Sequence, residues 1–131
     1  MGKGPYALAI STLSQVDPMK YAILVYETEQ DFANRGQHMP AYSAYSTALS
    51  EAGILTGGAA LHPGHTGSTV RLKEGHRQVQ DGPYAETKEQ LGGFFLIDVP
   101  DLDSALDWAA RCPAAGLCAV EVRPLLGMEQ N

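Results

Sequence analysis

Cysteine, basic charge and long apolar runs are all scarce in this chain, and each scarcity excludes something. Only two cysteines occur, Cys112 and Cys118. Their spacing fits no common zinc pattern and is too sparse for a disulfide framework, so they read as free thiols in a reducing cytoplasm. Nine Lys plus Arg stand against fifteen Asp plus Glu, a net charge of −6. An acidic chain without a basic stripe does not suit a nucleic-acid partner. No run of about 18 apolar residues is present, so no membrane span is expected. There is no phosphate-binding glycine loop and no nucleophile elbow, which argues against nucleotide cofactors and acyl transfer. His62 and His65 lie on a Pro-Gly loop with no third ligand nearby in sequence, so neither a metal nor any other cofactor is expected.

What is present fits one domain of ordinary apolar content, 44% of 131 residues. Residues 1–18 read apart from the rest, as an N-terminal extension without a convincing signal-peptide cleavage site. The domain proper is expected over 19–131. Residues 20–26 (KYAILVY) form a buried strand. Residues 27–37 are polar and read as a loop or short helical turn. A helix is expected over 40–52, with Pro40 in its first turn and Gly53 as its stop. Tyr42, Tyr45, Leu49 and Ala52 share one face of that helix, and His38 extends the stripe one turn back. Residues 54–61 form a second strand, and 68–73 with 76–80 form a hairpin. Residues 92–99 form another strand. Asp101 caps a second helix with the stripe Leu102, Ala105, Leu106 and Ala109, stopped by Pro113. Residues 117–123 are the last strand.

Without the hairpin this order is βαββαβ, an α+β, ferredoxin-like arrangement with an antiparallel sheet and both helices on one face. Strands 20–26 and 92–99 are apolar on both sides, with Phe94 and Leu96 opposite Phe95 and Ile97. Two helices cover only one face, so a second copy is expected over the other, as a homodimer.

Residues 81–93 (DGPYAETKEQLGG) are the richest stretch. Asp81, Gly82 and Pro83 make a turn, four charged or amide side chains follow between Glu86 and Gln90, and two glycines open the next strand. The segments MKYAILVY, DGPYAETKEQLGGFFLIDVPDLDSALDWAARCP and VEVRPL resemble the YCII-related family, in its subgroup named for a DGPF motif. Tyr84 stands where that motif has Phe. The resemblance implies a dimeric α/β barrel. It implies a His–Asp acid/base pair for some members, cofactor-free lyase chemistry on a hydroxylated ring for at least one relative, and an association with extracytoplasmic-function sigma factors.

Two functions follow as expectations. The first is a cofactor-independent acid/base enzyme, a lyase or isomerase, acting on a small hydroxylated or carbonyl compound. His38 would be its base and Asp81 the partner that orients it. Tyr42, Tyr45, Glu86 and Arg71 would hold the substrate, with Glu89, Lys88 and Arg123 behind them. The second is a non-catalytic small-molecule-binding or regulatory module working with a sigma factor. Each residue also has a plain structural use. His38 can bond a backbone carbonyl in the core, Asp81 can cap its own turn, and the charges can form surface pairs.

Overall fold

The structure, a computed structural model of the chain, describes residues 19–127; the extension at 1–18 lies outside them. Six strands run in chain order: β1 (Met19–Glu27), β2 (Leu55–Ala60), β3 (Ser68–Lys73), β4 (His76–Asp81), β5 (Gln90–Val99) and β6 (Ala119–Pro124). Four α-helices are described beside them, α1 (Glu29–Ala33), α2 (Arg35–Glu51), α3 (Leu102–Ala110) and α4 (Pro113–Leu117), with one 3-10 turn at Gly64–Thr66. One four-stranded sheet has the order β2-β5-β1-β6 with every pair antiparallel, and β3 and β4 form a separate hairpin. This is a mixed, antiparallel α+β fold. No helix among the described residues is long and apolar enough to cross a membrane.

The period-2 pleat sorts the sheet into two faces. Tyr21, Ile23 and Val25 of β1 pair in register with Ile97, Phe95 and Gly93 of β5, and with Pro124, Val122 and Val120 of β6. These odd positions of β1 share one buried cluster with Tyr45 and Leu49 of α2, Ala105 and Ala109 of α3, and Ala114 of α4. Tyr45 also meets the Phe95 ring edge-on, centroids 5.2 Å apart. The even positions of β1 and their neighbours, Leu24, Phe94 and Leu96, belong to the opposite face and stand outside that cluster. The sheet therefore has one face under helices and one apolar face that the described helices leave bare.

Local chemistry explains the helix ends, and two of them depart from expectation. The polar segment after β1, expected as a loop or short helical turn, is a short helix. Its start is a capping box, in which Thr28 Oγ1 accepts from the Asp31 backbone N–H and Asp31 Oδ2 accepts from the Thr28 N–H. Helix α2 begins at Arg35, five residues before the expected start, and runs through Pro40. The bond that Pro40 cannot make is the one to the Gly36 carbonyl. Gly36 is exposed in the opening turn, so solvent can reach that oxygen and the lost bond costs little. Asp101 caps α3 as expected, accepting from the Ser104 N–H at 2.9 Å. Pro113 does more than stop α3: it sits at the first position of α4, where its fixed φ and missing donor cost little. Strand β6 consequently starts at Ala119 rather than 117. The stripe on α3 is also narrower than expected, because Ala105 and Ala109 are buried while Leu102 and Leu106 remain exposed.

The hairpin turns through Glu74 and Gly75, both at positive φ, the signature of a type I′ turn. One of its faces carries Val70, Leu72 and Val79, all exposed, with Leu72 at 74%. After β4 the chain turns at Gly82, also at positive φ. The Gly82 N–H donates to the Gly67 carbonyl, and Thr69 Oγ1 donates to the Gly82 carbonyl. The start of the 82–89 loop is thus tied to the base of the hairpin.

Candidate functional site

Strand β1 puts Glu27 on the helix-covered face by alternation, two residues beyond Val25. A carboxylate there must be paired, since an unpaired buried charge is costly. Glu27 is 6% exposed and is gripped by Arg35 from the first turn of α2. Arg35 Nη2 donates to Glu27 Oε1 at 2.6 Å, and Nε donates to Oε2 at 3.3 Å. Nη2 also donates to the Gly92 carbonyl at 2.9 Å, and the guanidinium lies 4.6 Å over the Phe32 ring. This is the fork geometry that suits arginine and not lysine.

The two glycines before the central strand make room for that pair. Register between β1 and β5 shifts after Val25, which pairs with Gly93 while Tyr26 pairs with Leu91, so Gly92 is the extra, bulged residue. A Cβ at Gly92 would fall on the Glu27 carboxylate, and one at Gly93 would lie 2.8 Å from the Ala59 carbonyl oxygen. Gly58 on β2 is equally tight, 2.6 Å from the Phe94 carbonyl oxygen. These close approaches leave a side-chain-free wall.

That wall is one side of a cleft of about 610 Å³ between α2 and strands β2 and β5. Arg35, Met39, Tyr42, Ser43 and Ser46 face it from α2, while Glu27, Thr56 and Phe95 face it from the sheet. The size and the mixture of apolar lining with a few polar groups suit a small organic ligand. Tyr42 and Tyr45 lie one turn apart and behave differently. Tyr45 OH donates to the Trp108 carbonyl at 2.7 Å, a bond that ties α2 to α3. The Tyr42 hydroxyl is buried with no hydrogen-bond partner among the described residues. Burial first, then charge from neighbouring groups, raises both phenol pKa values, so both hydroxyls remain donors at neutral pH.

A second cleft of about 680 Å³ is lined by Thr28, Phe32, His65, Glu86, Lys88 and Gln90. The stacked Arg35 and Phe32 stand between the two spaces, Arg35 lining one and Phe32 the other. Glu86 therefore faces a different cleft from Tyr42. Much of the 82–89 loop bonds to itself: Gln90 Nε2 donates to the Ala85 and Thr87 carbonyls, and Thr87 Oγ1 donates to the Glu89 carbonyl.

The remaining expected residues are spread out. His38 is half-buried on α2, roughly 60° round the helix from Arg35 and in line with Tyr45 and Leu49 rather than with the cleft. Asp81 is exposed at the end of β4, paired across the hairpin with Ser68. Neither lines the 610 Å³ cleft. Arg71 stacks on Tyr84, 5.2 Å from the ring centroid. Among the described residues, Cys112 and Cys118 are free thiols, and no group of three or more His, Cys, Asp or Glu is placed to hold a metal ion.

Sequence reasoning missed Glu27 and Arg35 because the segment after β1 read as a solvated connector. The signal was available: alternation along KYAILVYE puts Glu27 in phase with Tyr21, Ile23 and Val25, and a core-phase acid calls for a nearby cation.

An antiparallel sheet with helices on one face, holding a cleft against its longest helix, defines an α+β domain. The YCII-related domain model matches residues 19–129. An uncharacterised protein of Rhizobium meliloti (strain 1021) is 41% identical over 116 residues, covering 82% of this chain and 92% of the relative. The chain belongs to the YCII-related family.

Proposed function

We propose that this protein binds a small organic molecule in the cleft between α2, β2 and β5. The observation that carries the reading is the convergence of the Glu27–Arg35 pair and Tyr42 on a cleft of about 610 Å³ with a glycine wall. Its polar groups are fixed in advance by packing, so little ordering entropy opposes binding. Mapping ligand-induced amide shifts in a small-molecule screen tests this. Shifts confined to Gly57, Gly58, Gly93 and residues 39–46 are expected. Shifts gathered instead at Phe32, His65 and Glu86 would move the site to the second cleft.

The enzymatic reading has its own support. His38 lies on α2 one turn ahead of Tyr42. There it would act as a cofactor-free general base for a lyase or isomerase, with Asp81 orienting it and Tyr42, Tyr45, Glu86 and Arg71 around the substrate. Unchanged turnover in His38→Ala would end that mechanism.

The DGP-Tyr sequence at 81–84 supports a place in the DGPF subgroup, and with it a cytoplasmic module that answers to an extracytoplasmic-function sigma factor. The order β2-β5-β1-β6 supports a ferredoxin-like topology. The bare face bearing Leu24, Phe94 and Leu96 supports a face-to-face homodimer, the dimeric α/β barrel. Sedimentation at several concentrations tests the dimer; a monomer throughout the micromolar range would remove it.

A further inference from the structure

We propose that Glu27 is a charge filter, making the cleft select an uncharged carbonyl compound and reject carboxylic acids. The inference rests on the cleft being the binding site and names the class of ligand it takes. An arginine in a cleft ordinarily suggests a carboxylate ligand. Here that reading fails on the surroundings of the guanidinium. Three of its five hydrogens are spent: Nε on Glu27 Oε2, and the two on Nη2 on Glu27 Oε1 and the Gly92 carbonyl. Only the Nη1 pair has no partner among the described residues, and the Arg35 side chain, 28% exposed overall, is among the residues lining the cleft.

Its charge is also already balanced. Glu27 sits in direct contact and is nearly inaccessible, so water screens it poorly. An acid entering beside Nη1 would meet Glu27 at close range and lose its own hydration in an apolar cleft. The attraction to Arg35 is offset by that repulsion, and the desolvation of the acid remains as a net cost. A neutral carbonyl oxygen carries no such cost and still accepts the Nη1 hydrogens. The rest of the lining agrees. Val25, Met39 and Phe95 offer an apolar bed, and Tyr42, whose buried hydroxyl has no partner among the described residues, lines the same cleft as a spare donor. Gly92 keeps the filter in place, because any side chain there would displace the Glu27 carboxylate.

The test uses acetophenone and benzoate, which share a ring and differ in charge, titrated into the full chain with amide shifts as the readout. Wild type is expected to bind acetophenone at least tenfold more tightly than benzoate, with shifts at Gly57, Gly58 and Gly93. In Glu27→Gln the Arg35 charge is unbalanced, and the preference should reverse in favour of benzoate. The double variant Glu27→Met with Arg35→Met keeps the question answerable if the single one does not fold; it should lose acetophenone binding by about tenfold without gaining benzoate. Tighter benzoate binding by wild type would overturn the filter while leaving the cleft as the site. An unchanged preference in Glu27→Gln would overturn it too. If neither compound shifts a cleft amide, the binding reading falls along with it.

Discussion

Two arginine–glutamate pairs sit on opposite faces of the same sheet. Glu27 and Arg35 meet on the helix-covered face, with side chains 7% and 28% exposed. Glu121 and Arg123 meet on the bare face, at 42% and 64%. The chemistry is the same and the distances are nearly so, 2.6 Å and 2.8 Å. What differs is the solvent. On the covered face Arg35 is compulsory, because removing it leaves the nearly inaccessible Glu27 carboxylate with little water to replace it. On the bare face water replaces either partner, and the pair carries little energy. A short distance alone therefore says nothing about importance.

The largest expected effect follows from stranding Glu27. Arg35→Ala should destabilise the fold by about 3 kcal/mol, near the low end for a broken buried pair because the cleft admits some water. Urea unfolding checks it. If Arg35→Ala cost no more than Arg123→Ala, the contrast between the faces would be broken. Replacing both partners, as Glu27→Met with Arg35→Met, should recover most of the loss, since an apolar pair of similar volume has no charge to desolvate. A stable double variant that no longer binds would show that the pair is kept for its site and not for the fold.

Gly92→Ala comes next. Its methyl would land on the Glu27 carboxylate, within a β-bulge flanked by Val25 and Tyr26. Overpacking there should cost about 2 kcal/mol, and the shifted carboxylate should weaken the hold on Arg35. Gly75→Ala makes a useful contrast, since nothing lies within 4 Å of its Cβ position and only its positive φ resists the change. A smaller loss at Gly75 than at Gly92 would tie the effect to the site rather than to glycine loss as such.

How much of this was legible beforehand depends on whether a feature is written in sequence period or in contact. The two-faced apolar pattern of residues 92–99 predicted the sorting of Phe95 and Ile97 from Phe94 and Leu96, because the pleat has a fixed period of two. The Asp101 cap was legible for a similar reason: capping needs one side chain and the backbone three residues on. Helix α2 was placed too late because the rule about proline is local. It could not show that the lost bond falls on an exposed glycine carbonyl in the opening turn. The candidate site was less legible. Tyr42, expected from its helical stripe, lines the cleft, but Tyr45, on the same stripe, is occupied with the Trp108 carbonyl. The loop at 81–93 drew attention for its charges, yet its two glycines are what shape the cleft, through Glu27 more than 60 residues upstream. Such a pairing has no local signature.

The two tyrosines of α2 offer a smaller and oppositely signed test. Tyr45→Phe removes the bond that ties α2 to α3, while the Trp108 carbonyl keeps the Arg111 N–H, and should cost about 1 kcal/mol. Tyr42→Phe removes a buried hydroxyl that has no partner, so stability should stay level or rise by up to about 1 kcal/mol. Paired thermal melts settle the sign. A loss at Tyr42 equal to that at Tyr45 would mean that its hydroxyl is bonded in solution, and would remove it as a spare donor for the ligand.

The smallest effect belongs to the bare face. Hydrogen bonds from Arg123, then from Tyr26, hold the Glu121 carboxyl below its ordinary 4.5. A carboxyl with a depressed folded-state pKa adds stability above its unfolded value, and that contribution fades as pH falls through the lower, folded value. Wild type should therefore melt slightly higher than Glu121→Gln near pH 6, and the two curves should converge below pH 4.5. In a dilute monomer the gap should be close to the error of the melt, because water screens the pair. If a second copy covers Leu24, Phe94 and Leu96, the same pair becomes enclosed, and the gap should widen as protein concentration rises. A gap that grows with concentration would turn this weak pair into a buried one and erase the contrast between the two faces in the assembled protein. A gap that stays small at every concentration would keep the faces distinct and count against the face-to-face dimer.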